Sequence, residues 1–369
     1  MPEQRPYEGD AVMVASAAVL EAPAVEANAD LVGAVSPSGE TKPKRKKLGF
    51  GFWFSVIWIL MVVFGAAFAP WLPIDHPNVA DPCAGVASTM VNTGATADQA
   101  QVIFSGQATN PAQAQQLIDQ GLPIPSVPGC TNPTLDSRVN AYPSSLHWLG
   151  TDTSGRDTFS RLVWGARVAI VIGIGAVSVG MLLGGIMGLL AGFYRGKSET
   201  LLMTVADIML AYPALILAIA FVAFAGQSLL NVGIAITIVA IPAFARIARA
   251  ATLTYSEREF VMAARVMGAK NSRIIMREIL PNAILPVVAF ALVAVAIAIV
   301  AEGGLAFLGL SVPLPTASWG SMIHDGYSVI TDRPLVALTP ALIMFITVLA
   351  FNLLGDKFRT IFDVKDTAL

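Results

Sequence analysis

Charge is scarce in this sequence. Only 13% of its 369 residues are Asp, Glu, Lys or Arg, about half the share usual in a soluble domain. Cysteine and histidine are scarcer still, at two and three residues, namely Cys83, Cys130, His76, His147 and His324. That inventory excludes a Cys/His metal cluster, and no metal site is expected. No nucleophile–base constellation can be assembled. The formal net charge of -2 says little about partners, because the charges are segregated along the chain. Residues 1–47 lack a continuous apolar core, so no cleavable leader is expected. The tail, residues 1–41, is rich in Ala, Val, Pro and Glu without periodicity and is read as disordered.

What the chain has instead is apolar length. Hydrophobic residues make up 55% of it, and a helix needs about 20 of them in a row to cross a bilayer core. Six segments qualify: Leu48–Leu72, Val168–Tyr194, Thr200–Ala225 (interrupted only by Asp207), Ser228–Ala245, Ala283–Ala301 and Pro334–Gly355. An all-α integral membrane protein with six transmembrane helices is therefore expected. With the N-terminus inside, 18 of the 23 Lys and Arg fall in cytoplasmic segments and five, Arg138, Arg156, Arg161, Arg167 and Arg333, fall outside. That imbalance places both termini in the cytoplasm. The run Lys42-Pro-Lys-Arg-Lys-Lys47 could bind nucleic acid. Immediately before an apolar helix it is better read as an anchor on the anionic inner surface, with lipid and not nucleic acid as partner.

The expected organisation is a tail (1–47), a first transmembrane helix (48–72), an extracytoplasmic segment (73–163) and a core (164–364) carrying a cytoplasmic loop at 251–282. Cys83 and Cys130 both fall in the extracytoplasmic segment. Compartment and even count favour a disulfide over two unpaired thiols. In the second helix Ala176, Gly180, Gly184, Gly188 and Gly192 recur every four residues, a stripe that admits a close neighbouring helix. Asp207 and Glu302 lie in or beside spans, where structural pairing is the first reading and pathway lining the second. Pro213, Pro242, Pro286 and Pro340 are expected to bend their helices.

The loop after the fourth span reads Glu257-Arg-Glu-Phe-Val-Met-Ala-Ala-Arg-Val-Met-Gly-Ala-Lys270 and runs on to Arg277-Glu-Ile-Leu-Pro-Asn282. It has an amphipathic helical pattern. Phe260, Ala264 and Gly268 share a face, with Ala263 and Met267 beside it, and Glu259, Arg265, Lys270 and Arg273 form a charged rim. A small apolar face of this kind suits a groove in a partner protein more than lipid headgroups, which usually receive large apolar anchors. Pro281 is expected to start a new direction for the fifth span.

This stretch resembles the coupling loop of bacterial binding-protein-dependent ABC importers. Ala263, Ala264, Gly268, Leu280 and Pro281 stand at that family's positions, while Met262 and Glu278 stand where the pattern has Glu and Ile. Ser145-Leu-His-Trp-Leu-Gly-Thr-Asp-Thr-Ser-Gly-Arg-Asp-Thr-Phe-Ser-Arg-Leu-Val-Trp-Gly-Ala-Arg167, Glu302-Gly-Gly-Leu-Ala-Phe-Leu-Gly-Leu310, Trp319-Gly-Ser-Met-Ile and Asn352-Leu-Leu-Gly-Asp-Lys-Phe-Arg-Thr-Ile-Phe-Asp363 resemble the dipeptide/oligopeptide branch, in its second (C-type) permease subunit. The resemblance implies a type I importer permease in the bacterial cytoplasmic membrane. It would pair with a homologous permease, two ATPase subunits that bind ATP and Mg, and an external substrate-binding protein. The cargo would be di- or oligopeptides, with nickel or oligosaccharide as the alternative within the branch. The implied coupling residues are Glu259, Phe260, Ala263, Ala264, Arg265, Met267, Gly268, Leu280 and Pro281. Asp152, Arg156, Asp157 and Trp319 are expected to face the binding protein or the pore mouth, although Gly, Asp and Arg near residue 155 suit turns and caps equally well.

Two rivals fare worse. Ala191-Gly-Phe-Tyr-Arg-Gly-Lys-Ser198 approaches a phosphate loop, but Ala191 replaces the required glycine and the stretch ends a membrane helix. This chain is therefore expected to hold no cofactor and to be no enzyme. An ion-coupled carrier would need polar groups along several spans, and they are missing.

Overall fold

The computed structural model describes residues 49–72, 74, 76–78, 86, 89–90, 93–121, 123–124 and 147–363. The tail, the basic anchor and the Cys83–Cys130 pairing lie outside the described residues. Among those described, the architecture is helical, with one isolated antiparallel bridge, Thr151 to Asp157.

In chain order the helices are α1 (Phe50–Phe68), α2 (Ala97–Phe104), α3 (Pro111–Asp119), α4 (Thr158–Tyr194), α5 (Gly196–Leu210), α6 (Ala214–Ala225), α7 (Leu229–Ser256), α8 (Glu259–Val266), α9 (Asn271–Phe307), α10 (Trp319–Tyr327) and α11 (Pro334–Asp363). Helices α1, α4, α7, α9 and α11 are long and apolar enough to cross a membrane. The sixth span expected from the sequence, Thr200–Ala225, is not one straight helix. It is the pair α5 and α6, bent by 80°. Pro213 is the cause: it cannot donate a backbone hydrogen bond, it restricts Tyr212 before it, and its own ψ of 125° is extended. Pro242, Pro286 and Pro340 lie inside α7, α9 and α11 without ending them.

The helices outrun the apolar segments that predict them. Helix α4 has 37 residues, roughly 55 Å at 1.5 Å per residue, against a hydrocarbon core of about 30 Å. It begins ten residues before Val168, where Asp157 caps it by accepting a hydrogen bond from the Ser160 amide at 2.6 Å. A charge marks where lipid ends, but backbone hydrogen bonding carries the helix on into water.

Helix α4 packs along α7, and the small-residue stripe is the contact. A Cβ on Gly180 would lie 2.9 Å from that of Ala240, and one on Gly192 would lie 2.8 Å from that of Thr252. On Gly184 or Gly188 it would overlap the carbonyl oxygens of Ile241 and Ala245. The Thr237 hydroxyl donates to the Ala176 carbonyl at 3.3 Å, crossing between the two helices. Helix α9 closes the core, with Ile299 and Val295 against Gly173. Helix α1 is fastened to α11 by the Trp58 indole, which donates to the Thr347 hydroxyl at 3.0 Å. Between the first and second spans α2 and α3 have their own caps: Thr96 with Gln99 in a capping box, and Asn110.

Gly188→Ala should destabilise the protein by about 1–3 kcal/mol through overpacking, read as a lower thermal midpoint in detergent. Gly185→Ala, one position off the stripe with nothing within 4 Å of its Cβ, should leave the midpoint unchanged.

Candidate functional site

Two groups of functional side chains sit at opposite ends of α4. On the outer side the segment Thr151–Asp157 folds on itself. The Asp152 carboxylate accepts from the Ser154 and Arg156 amides, both at 2.9 Å, and from Arg156 Nε at 2.7 Å. Gly155 takes a φ of 74° at the turn. His147 Nδ1 lies 3.0 Å from Asp157 Oδ1. Arg161, fully buried in the first turn of α4, sits 3.3 Å from Asp152 and 3.8 Å from Asp325 of α10. Its Nη1 donates to the carbonyls of Pro77 and Pro315. Nε and Nη2 meet the carboxylates by charge and not by aligned hydrogen bonds. Arg156 Nη2 reaches Asp325 at 3.3 Å.

For Asp152, Arg156, Asp157 and Trp319 the sequence leaves two readings, contacts to a binding protein or pore mouth and turn or cap residues. Asp152, Arg156 and Trp319 are buried within the chain. Asp157 is the cap of α4, and the Trp319 indole donates to the Leu162 carbonyl at 3.0 Å. These residues assemble the outer face from inside; they are the turn and cap residues of the second reading. Arg161 was missed as a member of this network. Its signal was a cation in the first turn of a helix, against the helix dipole, a placement that a nearby carboxylate offsets. Glu302, near the outer end of α9, is likewise buried and accepts from the Ser311 hydroxyl at 2.9 Å.

At the other end of α4 lies α8, much shorter than the amphipathic pattern suggests. It stops at Gly268, whose φ is 75°. The Ala269 amide donates to the Ala264 carbonyl and the Gly268 amide to the Arg265 carbonyl, both at 3.0 Å, a Schellman closure. Nothing of the chain lies within 4 Å of a Cβ on Gly268, so within the chain this glycine serves its backbone conformation.

The facing of α8 is a correction. Val261 and Ala264 are buried against Ile274, Ile279 and Ala283 of the same chain. Ala264 therefore gives its small side to the protein's own bundle. The outward side carries Phe260, Met262, Ala263, Val266 and Met267, with Val266 and Met267 at 88% and 80% exposure. Leu280 and Pro281 lie inside α9, after a π-helical turn over Ile274–Ile279. Pro281 begins no new direction, because α9 has already started at Asn271. The Asn282 side chain donates to the Glu278 carbonyl at 2.8 Å beside it.

Beside α8 a cavity of about 300 Å³ is lined by Phe193, Tyr194, Arg195, Glu257, Met262 and Arg265. Arg195 closes one side by donating to Glu257 at 2.8 Å. The guanidinium of Arg265 lies 5.8 Å from the centre of the Phe193 ring. Two ion pairs tie α5 to α7 on this side, Arg249 with Glu199 and Arg246 with Asp207. Asp207 thus has a structural partner.

Five membrane-length helices, a sixth segment bent in two, and a short capped helix between α7 and α9 define a polytopic helical membrane protein in class. Comparison with known proteins places it further. Residues 180–365 match the family described as "Binding-protein-dependent transport system inner membrane component", and the chain belongs to that family. A "Glutathione transport system permease protein GsiD" of Pectobacterium atrosepticum is 43% identical over 228 residues, 62% of this chain and 76% of that relative. A "Dipeptide transport system permease protein DppC" of Alkalihalophilus pseudofirmus is 42% identical over 235 residues, 64% of this chain and 76% of that relative. A chain of the inward-facing MetNI methionine ABC transporter superposes with a TM-score of 0.47 at 20% identity, covering 55% of this chain and 96% of that one, a likeness too weak to build on.

Asp152→Asn should cost about 3–5 kcal/mol, because it leaves buried guanidinium groups without their nearest charge. Asp325→Asn should cost less. Desolvation raises the pKa of Asp325, although Arg156 and Arg161 pull it down. A carboxyl so raised stabilises the fold most when protonated and loses that contribution as pH rises. Melting curves across pH should therefore show wild type losing ground relative to Asp325→Asn as pH increases.

Proposed function

We propose that the chain is the second permease subunit of an ATP-driven importer of di- and oligopeptides in the bacterial cytoplasmic membrane. Its partners are a homologous permease, two ATPase subunits and an external substrate-binding protein. ATP and Mg are held by the ATPases, and this chain supplies no catalytic group. Peptide cargo is supported by the names of its relatives, which print glutathione and dipeptide.

The observation that carries the reading is the construction of α8. Its inner side is clamped to the chain's own core through Val261 and Ala264, so the helix cannot slide independently of the bundle. Its outer side exposes large flexible apolar side chains, Met262, Val266 and Met267, which suit an apolar groove in an ATPase subunit. Glu259 and Arg265 add charge at the rim. The chain enters α8 from α7 and leaves it into α9. Displacement of α8 by a closing motor therefore pushes on two membrane-crossing helices at once. The cavity between Phe193, Glu257 and Met262 lies beside this lever and gives the partner's surface a recess to enter.

Replacing Val266 and Met267 together by Asp leaves the buried side intact. It should lower ATP-dependent uptake by the assembled importer by roughly tenfold or more and loosen co-purification of the ATPases. Unchanged uptake would refute the assignment of α8. Gly268→Ala should cost about 1 kcal/mol of stability through its left-handed conformation, with Gly268→Asn milder. Competition of uptake by dipeptides, longer peptides, oligosaccharides and Ni²⁺ identifies the cargo; inhibition by sugar or Ni²⁺ alone would reject peptides.

A further inference from the structure

We infer that the outer end of α4 holds the phosphate of an anionic phospholipid of the outer leaflet. Of the basic residues on that side, Arg156 and Arg161 answer to Asp152 and Asp325. Arg167 has no carboxylate among the described residues. Its guanidinium instead lies over the Trp164 ring, 5.2 Å from the centroid. On the same ring the His76 imidazole sits at 5.7 Å. His76 Nδ1 accepts from the Asn78 amide at 3.4 Å, which leaves Nε2 to carry the proton as a donor. His76, Asn78, Trp164, Arg167 and Thr316 line a cavity of about 250 Å³. An arginine with no carboxylate partner among the described residues, an imidazole and an asparagine lining one recess can supply the donors that a phosphate takes.

Depth and neighbours select the source of that phosphate. Arg167 immediately precedes the uncharged run Val168–Tyr194, where the hydrocarbon begins, and a Trp beside it is the usual side chain of that interface. Below Arg167 on the same helical face stand Val171, Ile174 and Leu182, between 43% and 59% exposed. An acyl chain can lie along such a stripe. A peptide cargo would leave its backbone groups unpaired there. A headgroup in the recess with its chain on the stripe satisfies both.

The test uses the assembled transporter in nanodiscs of equal phosphatidylglycerol and phosphatidylcholine, extracted gently and weighed intact by native mass spectrometry. Wild type should retain one more phosphatidylglycerol than Arg167→Gln, with Arg167→Lys retaining it in part. Asn78→Asp, an exposed position, should place a carboxylate in the recess and reduce retention independently, which keeps the test valid if Arg167→Gln inserts poorly. Neither millimolar glycerol 3-phosphate nor a dipeptide should displace the lipid. Equal retention by wild type and both variants overturns the inference. Displacement by glycerol phosphate assigns the recess to free phosphate and displacement by dipeptide assigns it to cargo carboxylate; either result overturns the lipid. Uptake is not the readout, so failure here leaves the importer reading standing.

Discussion

In a bilayer, apolar side chains gain nothing by leaving lipid for one another, so two helices stay together only where their surfaces touch closely. Here that contact is α4 on α7, where Gly184 and Gly188 lie directly against the carbonyls of Ile241 and Ala245. Much of the remaining geometry follows from it. The shared surface gives α9 a floor at Gly173, and α9 in turn receives α11. At the inner ends of the pair, Phe193 to Arg195 and Ser256 to Glu257 meet beside α8. At the opposite end, α4 and the turn that precedes it deliver Arg161 and Arg156 to Asp325. One long helix thus links the ion-pair network at one end with α8 at the other.

The inner side is held by different means. Helix α5 is attached to α7 through Glu199–Arg249 and Asp207–Arg246. The second pair is exposed on both partners, and surface pairs are worth about 0–1 kcal/mol each. The break at Tyr212–Pro213 separates α5 from α6, so α5 is joined to the bundle more weakly than α4 is. A transporter needs both a stiff frame and a part that gives. Backbone-close glycine contacts provide the first, and a proline break with one exposed and one half-buried ion pair suits the second.

The membrane class, the positions of the spans and the presence of a small-residue stripe were all legible in the residues, as was the inner loop with its family pattern. Several details were not. Thr200–Ala225 has the composition of a span, but Pro213 turns it through 80°, and composition cannot show which proline breaks a helix when Pro242, Pro286 and Pro340 do not. The ends of α4, α7 and α9 lie well beyond the apolar runs, because helical hydrogen bonding ignores the lipid boundary. The motif Thr-Asp-Thr-Ser-Gly-Arg-Asp looked like a contact surface, and its charges turned out to be spent on one another.

What the sequence by itself determined is which segments are long and apolar enough to enter lipid and where small residues recur along one helix face. Those properties are sums over neighbouring residues: apolar length and the spacing of glycines. Only the tertiary structure decided that Ala264 faces inward while Met267 faces out, and that Arg161 meets Asp325, 164 residues along the chain. Burial and pairing are set by whatever packs alongside, and in this protein those neighbours come from distant helices.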